Sequence, residues 1–184
     1  MLASVFVGAS VDGFIARVDG GLDWLPGDDC EAHGYEEFMD TVDALVMGRN
    51  TFDIVLGFGE WPFSKPVFVL TSRPLTSVPP GAVLEAMAGD PAEIVSALEA
   101  RGFRHLYVDG GITIQGFLRA GLIQRLVVTR VPVLIGEGIP LFGSLPADER
   151  LRHVATRTFP SGLVQSEYVV VGAAGAGDVT TRLW

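Results

Sequence analysis

The stretch Asp43-Ala44-Leu45-Val46-Met47-Gly48-Arg49-Asn50-Thr51-Phe52 decides the fold. Ala44 to Met47 is short, apolar and unbroken, the pattern of a strand buried on both faces. Gly48 follows directly and lets a ligand approach the backbone. Asn50, Thr51, Phe52, Ile54 and Val55 then have the spacing of a helix with one apolar side, stopped by Gly57 and Gly59. A strand running straight into a helix leaves the first N–H groups of that helix pointing into the space beyond the strand end, where an anion is favoured. Arg49 adds a positive charge there. A tight turn carrying a solvated arginine accounts for the same residues, so the flanking chain has to arbitrate.

Working outward, Tyr35, Phe38, Met39 and Val42 predict a short helix before this stretch, and Pro66 to Thr71 predicts a buried strand after it. Ser4 to Ala9 reads as a first strand, ending at the turn signal Asp12-Gly13 and the apolar triplet Phe14-Ile15-Ala16. Arg17 to Gly34 is a long loop in which Trp24 supplies packing, the kind of segment that often forms a lid. Ala82 to Met87 is a weaker strand. Asp90-Pro91-Ala92-Glu93 spells a helix start with an N-cap, a first-turn proline and a capping-box glutamate. Ile94, Ala97 and Leu98 are expected on its buried side. Leu106 to Val108 is a strand that meets Asp109-Gly110-Gly111, after which Ile114, Phe117 and Leu118 line a helix face. Leu126 to Val133 is a further strand, in which Pro132 suggests an edge or a bulge. Leu151 to Phe159 and Leu163 to Val171 form a terminal hairpin around Pro160-Ser161-Gly162.

The chain has 184 residues, 48% of them hydrophobic, which suits one domain with a real core. Its formal net charge of -9 argues against nucleic acid or an anionic membrane as partner. The one cysteine, Cys30, has no internal disulfide partner, and His33, His105 and His153 lack zinc spacing, so no metal is expected. The first residues lack a signal peptide's basic flank and reach Asp12 too early for a membrane span, so a cytoplasmic location is expected. These readings predict a single three-layer α/β domain over residues 1–171. A mixed, mainly parallel sheet is flanked by helices and finished by an antiparallel hairpin, and residues 172–184 form a tail.

Three strands thus end in ligand-friendly turns: Gly48-Arg49-Asn50-Thr51, Thr71-Ser72-Arg73 and Asp109-Gly110-Gly111-Ile112-Thr113. Parallel strands in one sheet would present all three at one edge, where open α/β sheets bind ligands. None matches a Gly-x-Gly-x-x-Gly or Walker pattern. The ordered series Ser10-Val11-Asp12-Gly13-Phe14-Ile15-Ala16, Val46-Met47-Gly48-Arg49-Asn50-Thr51-Phe52, Val69-Leu70-Thr71-Ser72-Arg73-Pro74 and Val108-Asp109-Gly110-Gly111 resembles the dihydrofolate reductase superfamily. Phe117 to Ile123 and Val133 to Gly138 bring it closer to the reductase domain of the bifunctional riboflavin-biosynthesis deaminase-reductase, here as a standalone protein.

That resemblance implies an NADPH-dependent reductase of a small heterocycle, either a riboflavin-pathway compound like 5-amino-6-(5-phosphoribosylamino)uracil or a pterin, and a homodimer. It implies Ile15 and Ala16 near the nicotinamide, and Gly48, Arg49, Asn50 and Thr51 near the pyrophosphate and adenosine phosphate. Thr71, Ser72 and Arg73 would surround the adenosine ribose, with Gly110, Gly111, Ile112 and Thr113 against the pyrophosphate. Two arginines after strand ends in an acidic chain independently suit a 2′-phosphate. Asp28 and Glu36 are the candidate catalytic carboxylates, and Asp109 stands where dihydrofolate reductases commonly have glycine. The rival readings are a nucleotide-binding module without turnover and a dihydrofolate reductase proper.

Overall fold

The apolar runs lie side by side in a computed structural model that describes residues 1–27 and 32–172. In chain order the elements are β1 (Leu2–Ser10), β2 (Phe14–Ala16), α1 (Tyr35–Thr41), β3 (Ala44–Gly48), α2 (Arg49–Leu56), β4 (Val67–Leu70) and β5 (Leu84–Met87). They continue with α3 (Pro91–Ala100), β6 (His105–Asp109), α4 (Gly111–Arg119), β7 (Arg125–Val131), β8 (Ile139–Pro140), β9 (Leu151–Thr158) and β10 (Val164–Val170).

Eight strands form one sheet in the order β5-β4-β3-β6-β1-β7-β10-β9. The first six in that order run parallel, and β10 is antiparallel to both β7 and β9. β3, β4 and β6 therefore end at one edge, as the three polar turns require. Registers such as Gly48 opposite Leu70 and Met47 opposite Asp109 fix that alignment.

Side chains alternate between the two faces of a strand, so each face builds its own core. Val5, Val7, Val46, Leu106 and Val108 pack with Ile94 and Leu98 of α3 and with Ile114, Phe117 and Leu118 of α4. Phe6, Leu45, Met47, Val69 and Tyr107 pack on the other face with Phe38 of α1 and Phe52 of α2. Each fully buried Leu, Ile or Phe contributes about 1.5–3 kcal/mol of transfer free energy. The result is the expected three-layer arrangement.

Two expectations need correcting. Ala97 is exposed; Ile94 and Leu98 alone of the expected trio are buried, because the side of α3 packed on the sheet runs through Ile94, Val95 and Leu98 and Ala97 lies off that stripe. β7 is an interior strand between β1 and β10, and Pro132 falls just past its end, where no ladder hydrogen bond is lost. Among the described residues no helix is long and apolar enough to cross a membrane.

Candidate functional site

A cleft of about 730 Å³ opens at the sheet edge where β3 and β6 end, within the ordinary range for small-molecule sites. Its two polar margins are the starts of α2 and α4. Gly48 is the N-cap of α2 and Gly110 that of α4, and neither helix has a side-chain hydrogen bond closing its first turn. The free N–H groups and the positive end of each helix dipole thus face the same space.

Reciprocal packing holds these starts together across the sheet. A Cβ on Gly110 would run into Thr51 Oγ1, and one on Gly48 would lie 2.9 Å from Thr113 Oγ1. Gly110 also has φ +88°, which L side chains rarely adopt. At Gly111 a Cβ would stand 3.1 Å from Ile15 Cδ1 and Ile139 Cγ2. The glycines therefore let two strand-to-helix turns from distant parts of the chain interlock.

Arg49 is fixed at the corner by Asp53 and by the loop after β4. Its Nε donates to Asp53 Oδ1 at 2.8 Å and its Nη1 to the Pro74 carbonyl at 3.3 Å. Thr71 Oγ1 accepts from the Arg73 N–H at 3.0 Å, closing the adjoining turn. Ile15, Ala16, Gly48, Arg49, Asn50, Thr51, Gly110, Gly111, Ile112 and Thr113 all line the cleft, whereas Thr71, Ser72 and Arg73 stand outside its lining at this corner.

The other end of the cleft is apolar and aromatic, with Phe6, Val7, Leu22, Leu25, Phe58 and Phe63 in its walls. The loop after β2 reaches over β1 here: a Cβ on Gly8 would approach Leu25 Cδ2 to 2.9 Å. Arg17 staples that loop by donating from Nε and Nη2 to both Asp23 carboxylate oxygens, at 2.6 and 2.8 Å.

Among the described residues the acid that reaches the cleft is Asp109. It is two residues from Tyr107 on β6 and so shares its face, toward Tyr35 at the start of α1. Asp109 Oδ1 accepts from the Gly110 N–H at 2.7 Å. Burial pushes its carboxyl up to about 6, against the lowering effect of that hydrogen bond. Tyr107 donates its hydroxyl to the Phe6 carbonyl at 2.9 Å, and burial raises the phenols of both Tyr107 and Tyr35, with the Asp109 carboxylate adding to each. Glu36, by contrast, is exposed on α1 and does not line the cleft. At the helix start the residue turned toward the cleft is Tyr35. Asp28 lies outside the described residues. The period-two alternation from Tyr107 to Asp109 was the sequence signal that could have nominated Asp109.

The mixed, mostly parallel eight-stranded sheet with helices on both faces is a dihydrofolate reductase-like fold. Within it the chain belongs to the RibD C-terminal domain family, whose model matches residues 4–165. Membership places it among reductase-type domains of the riboflavin pathway. A crystal structure of a protein assigned to riboflavin biosynthesis, from Shewanella sp. PV-4, is 42% identical, with a TM-score of 0.84 over 92% of this chain and 99% of that one. The Thermotoga maritima diaminohydroxyphosphoribosylaminopyrimidine deaminase/5-amino-6-(5-phosphoribosylamino)uracil reductase matches at 15% identity and TM-score 0.68, over 92% of this chain and 56% of that one. Enterococcus faecalis dihydrofolate reductase, complexed with NADP(H) and RAB-propyl, matches at 21% identity and TM-score 0.64, over 93% and 96% of the two chains. The last two similarities concern the fold.

Proposed function

We propose that this protein is an NADPH-dependent oxidoreductase that reduces a polarised C=N or C=O bond of a small pyrimidine- or pteridine-like compound. The observation that carries this reading is the meeting of two open helix starts in a cleft whose other end has apolar and aromatic walls. A dinucleotide has that division of character, with a pyrophosphate between flat rings, and helix N-termini suit its charge. NADPH supplies a hydride when bound.

The residues have distinct tasks in this reading. The N–H groups of Arg49 to Thr51 and Gly110 to Thr113 hold the pyrophosphate, and Ile15 and Ala16 lie beside the nicotinamide. Arg49, together with the Thr71-Ser72-Arg73 turn to which its contact with Pro74 ties it, forms the corner for a 2′-phosphate. An arginine–phosphate hydrogen bond of this charge-assisted kind contributes about 1.5–3 kcal/mol. Asp109 is the acid positioned to hold a proton at the reacting end. A carboxyl that titrates near the working pH can pass a proton to the substrate nitrogen or oxygen as its carbon accepts the hydride.

Energy transfer from the tryptophans to bound nucleotide tests the cofactor assignment. Titration with NADPH and NADH is expected to give tighter NADPH binding, by tenfold or more. Equal affinities would remove the 2′-phosphate corner, and no binding of either at millimolar concentration would remove the reductase reading. We also propose a homodimer, supported by β9, an edge strand exposed along nearly its whole length. Light scattering at micromolar concentration is expected to give twice the chain mass.

A further inference from the structure

We propose that the ring-binding end of the cleft takes an unphosphorylated aminopyrimidine or pteridine, neutral or positively charged, and disfavours its phosphate-bearing counterpart. This rests on the reductase reading above and specifies its substrate class.

Charge placement carries the inference. A phosphate monoester brings close to two negative charges, and it needs arginine, lysine or a free helix start as it leaves water. Among the described residues the cationic side chains lining the cleft are Arg49 and Arg119. Arg49 is at the nucleotide corner, paired with Asp53. Arg119 closes the far end of α4, about 12 Å along the helix from its start at the ordinary rise per residue. Both open helix starts are already assigned to the cofactor.

Leu22, Leu25 and Tyr35, which line the ring end, belong to a stretch of sequence without cations. From Val18 to Gly48 it has no lysine or arginine and nine aspartates and glutamates, with His33 its one histidine. This holds for the entire segment because it is a property of the sequence. Arg17, just before it, is held by both oxygens of Asp23. Arg125 and Arg157 line a small adjoining crevice between α1 and the terminal hairpin, which shares Phe6 with the cleft, and Arg125 is paired there with Glu167 at 2.8 Å. A phosphate brought to this end would meet the Asp109 carboxylate and aromatic walls, with no lining cation beside them among the described residues. Like charges at such a site raise the cost of entry.

The same surroundings favour a ring with hydrogen-donating edges. The Asp109 carboxylate accepts hydrogen bonds, and the Tyr35 hydroxyl can accept or donate, so an exocyclic amine and an adjacent ring N–H find acceptors inside the cleft. The Phe6 ring, edge-on to Tyr35 at 5.5 Å, and Phe63 and Leu25 supply the flat apolar contacts.

The test uses the full chain loaded with NADP⁺ and a matched pair of ligands: 5-amino-6-(5-phosphoribosylamino)uracil and the same compound without its phosphate, with pterin as a third probe. Calorimetric titration is expected to show the unphosphorylated compound or pterin binding at least tenfold more tightly than the phosphate. Asp109→Asn should weaken that binding by tenfold or more. Leu25→Arg, which adds a cation at the ring end, should shift the preference toward the phosphate. Equal or tighter binding of the phosphorylated compound by the parent protein overturns the inference and leaves the reductase reading in place. Binding of none of the three while NADPH still binds also overturns it. Loss of nucleotide binding as well would overturn both.

Discussion

α3 and α4 both begin beside an aspartate, yet one start is closed and the other open. Asp90 is the N-cap of α3, in extended conformation, and its carboxylate accepts from the Ala92 and Glu93 N–H groups, each at 2.9 Å. Glu93 reaches back to the Asp90 N–H at 2.9 Å, completing a capping box in solvent. At α4 the N-cap is Gly110 with φ +88°, and Asp109, one residue earlier, accepts only from Gly110 among the N–H groups. The first turn of α4 is thus left for an external acceptor, and the carboxyl is turned into the cleft. One residue of offset converts a cap into a candidate proton-holding group. A helix start that satisfies itself is built for stability, and one that does not is available to a ligand.

Breaking the open start should have the largest effect. Gly110→Ala places a methyl group against Thr51 at a positive φ and is expected to cost about 2–4 kcal/mol in urea unfolding, along with nucleotide affinity. Adding Thr51→Ala should recover the steric part alone. Full parental stability of Gly110→Ala would show that the interlock is not tight.

The aspartates should differ in their pH signatures. Asp109 titrates near 6 when folded against an ordinary 3.8, so between those values the folded protein holds more protons than the unfolded chain. Stability from this group therefore falls as pH rises from about 4 to about 6 and then levels off. Asp109→Asn should abolish that slope, making the variant relatively more stable above pH 6 by up to about 3 kcal/mol. Unchanged pH dependence across denaturation curves at pH 4 to 7 would contradict a raised Asp109 carboxyl.

Smaller effects separate ligand from scaffold. Arg49→Ala should weaken NADPH by about 10- to 100-fold and NADH far less; Arg73→Ala, at an exposed position, should act in the same direction more weakly. Fluorescence titration reads both, and matching losses for the two nucleotides would count against the phosphate corner. Asp90→Ala should lower unfolding stability by about 1 kcal/mol and leave nucleotide affinity unchanged. Any loss of binding there would erase the contrast between the two helix starts.

Much of the architecture was legible in local pattern. Ala44 to Met47 and Leu106 to Val108 announce buried strands because apolar runs of that length, bounded by turn residues, bury both faces. Asp90-Pro91-Ala92-Glu93 announces a helix because its cap is written entirely in neighbouring residues. The candidate site was less legible. The glycines in Gly48-Arg49 and Gly110-Gly111 suggested ligand approach, whereas Thr51 and Thr113 show that they first permit two turns to interlock. Glu36 carried an acid on the right helix, but its position on that helix points it to solvent, while Tyr35 faces the cleft.

The sequence by itself determined the strands, the helix starts, the edge at which the polar turns collect and the acidity of the segment from Val18 to Gly48. These follow from hydrophobic period, capping chemistry and charge count, which act over a few residues. Only the tertiary structure decided that Asp109 faces the cleft, that Arg49 is held by the loop at Pro74, and that two helix starts open into one space. Each of those depends on which face a side chain takes and on contacts between segments far apart in the chain, and the sheet fixes both only once its strands have paired in register.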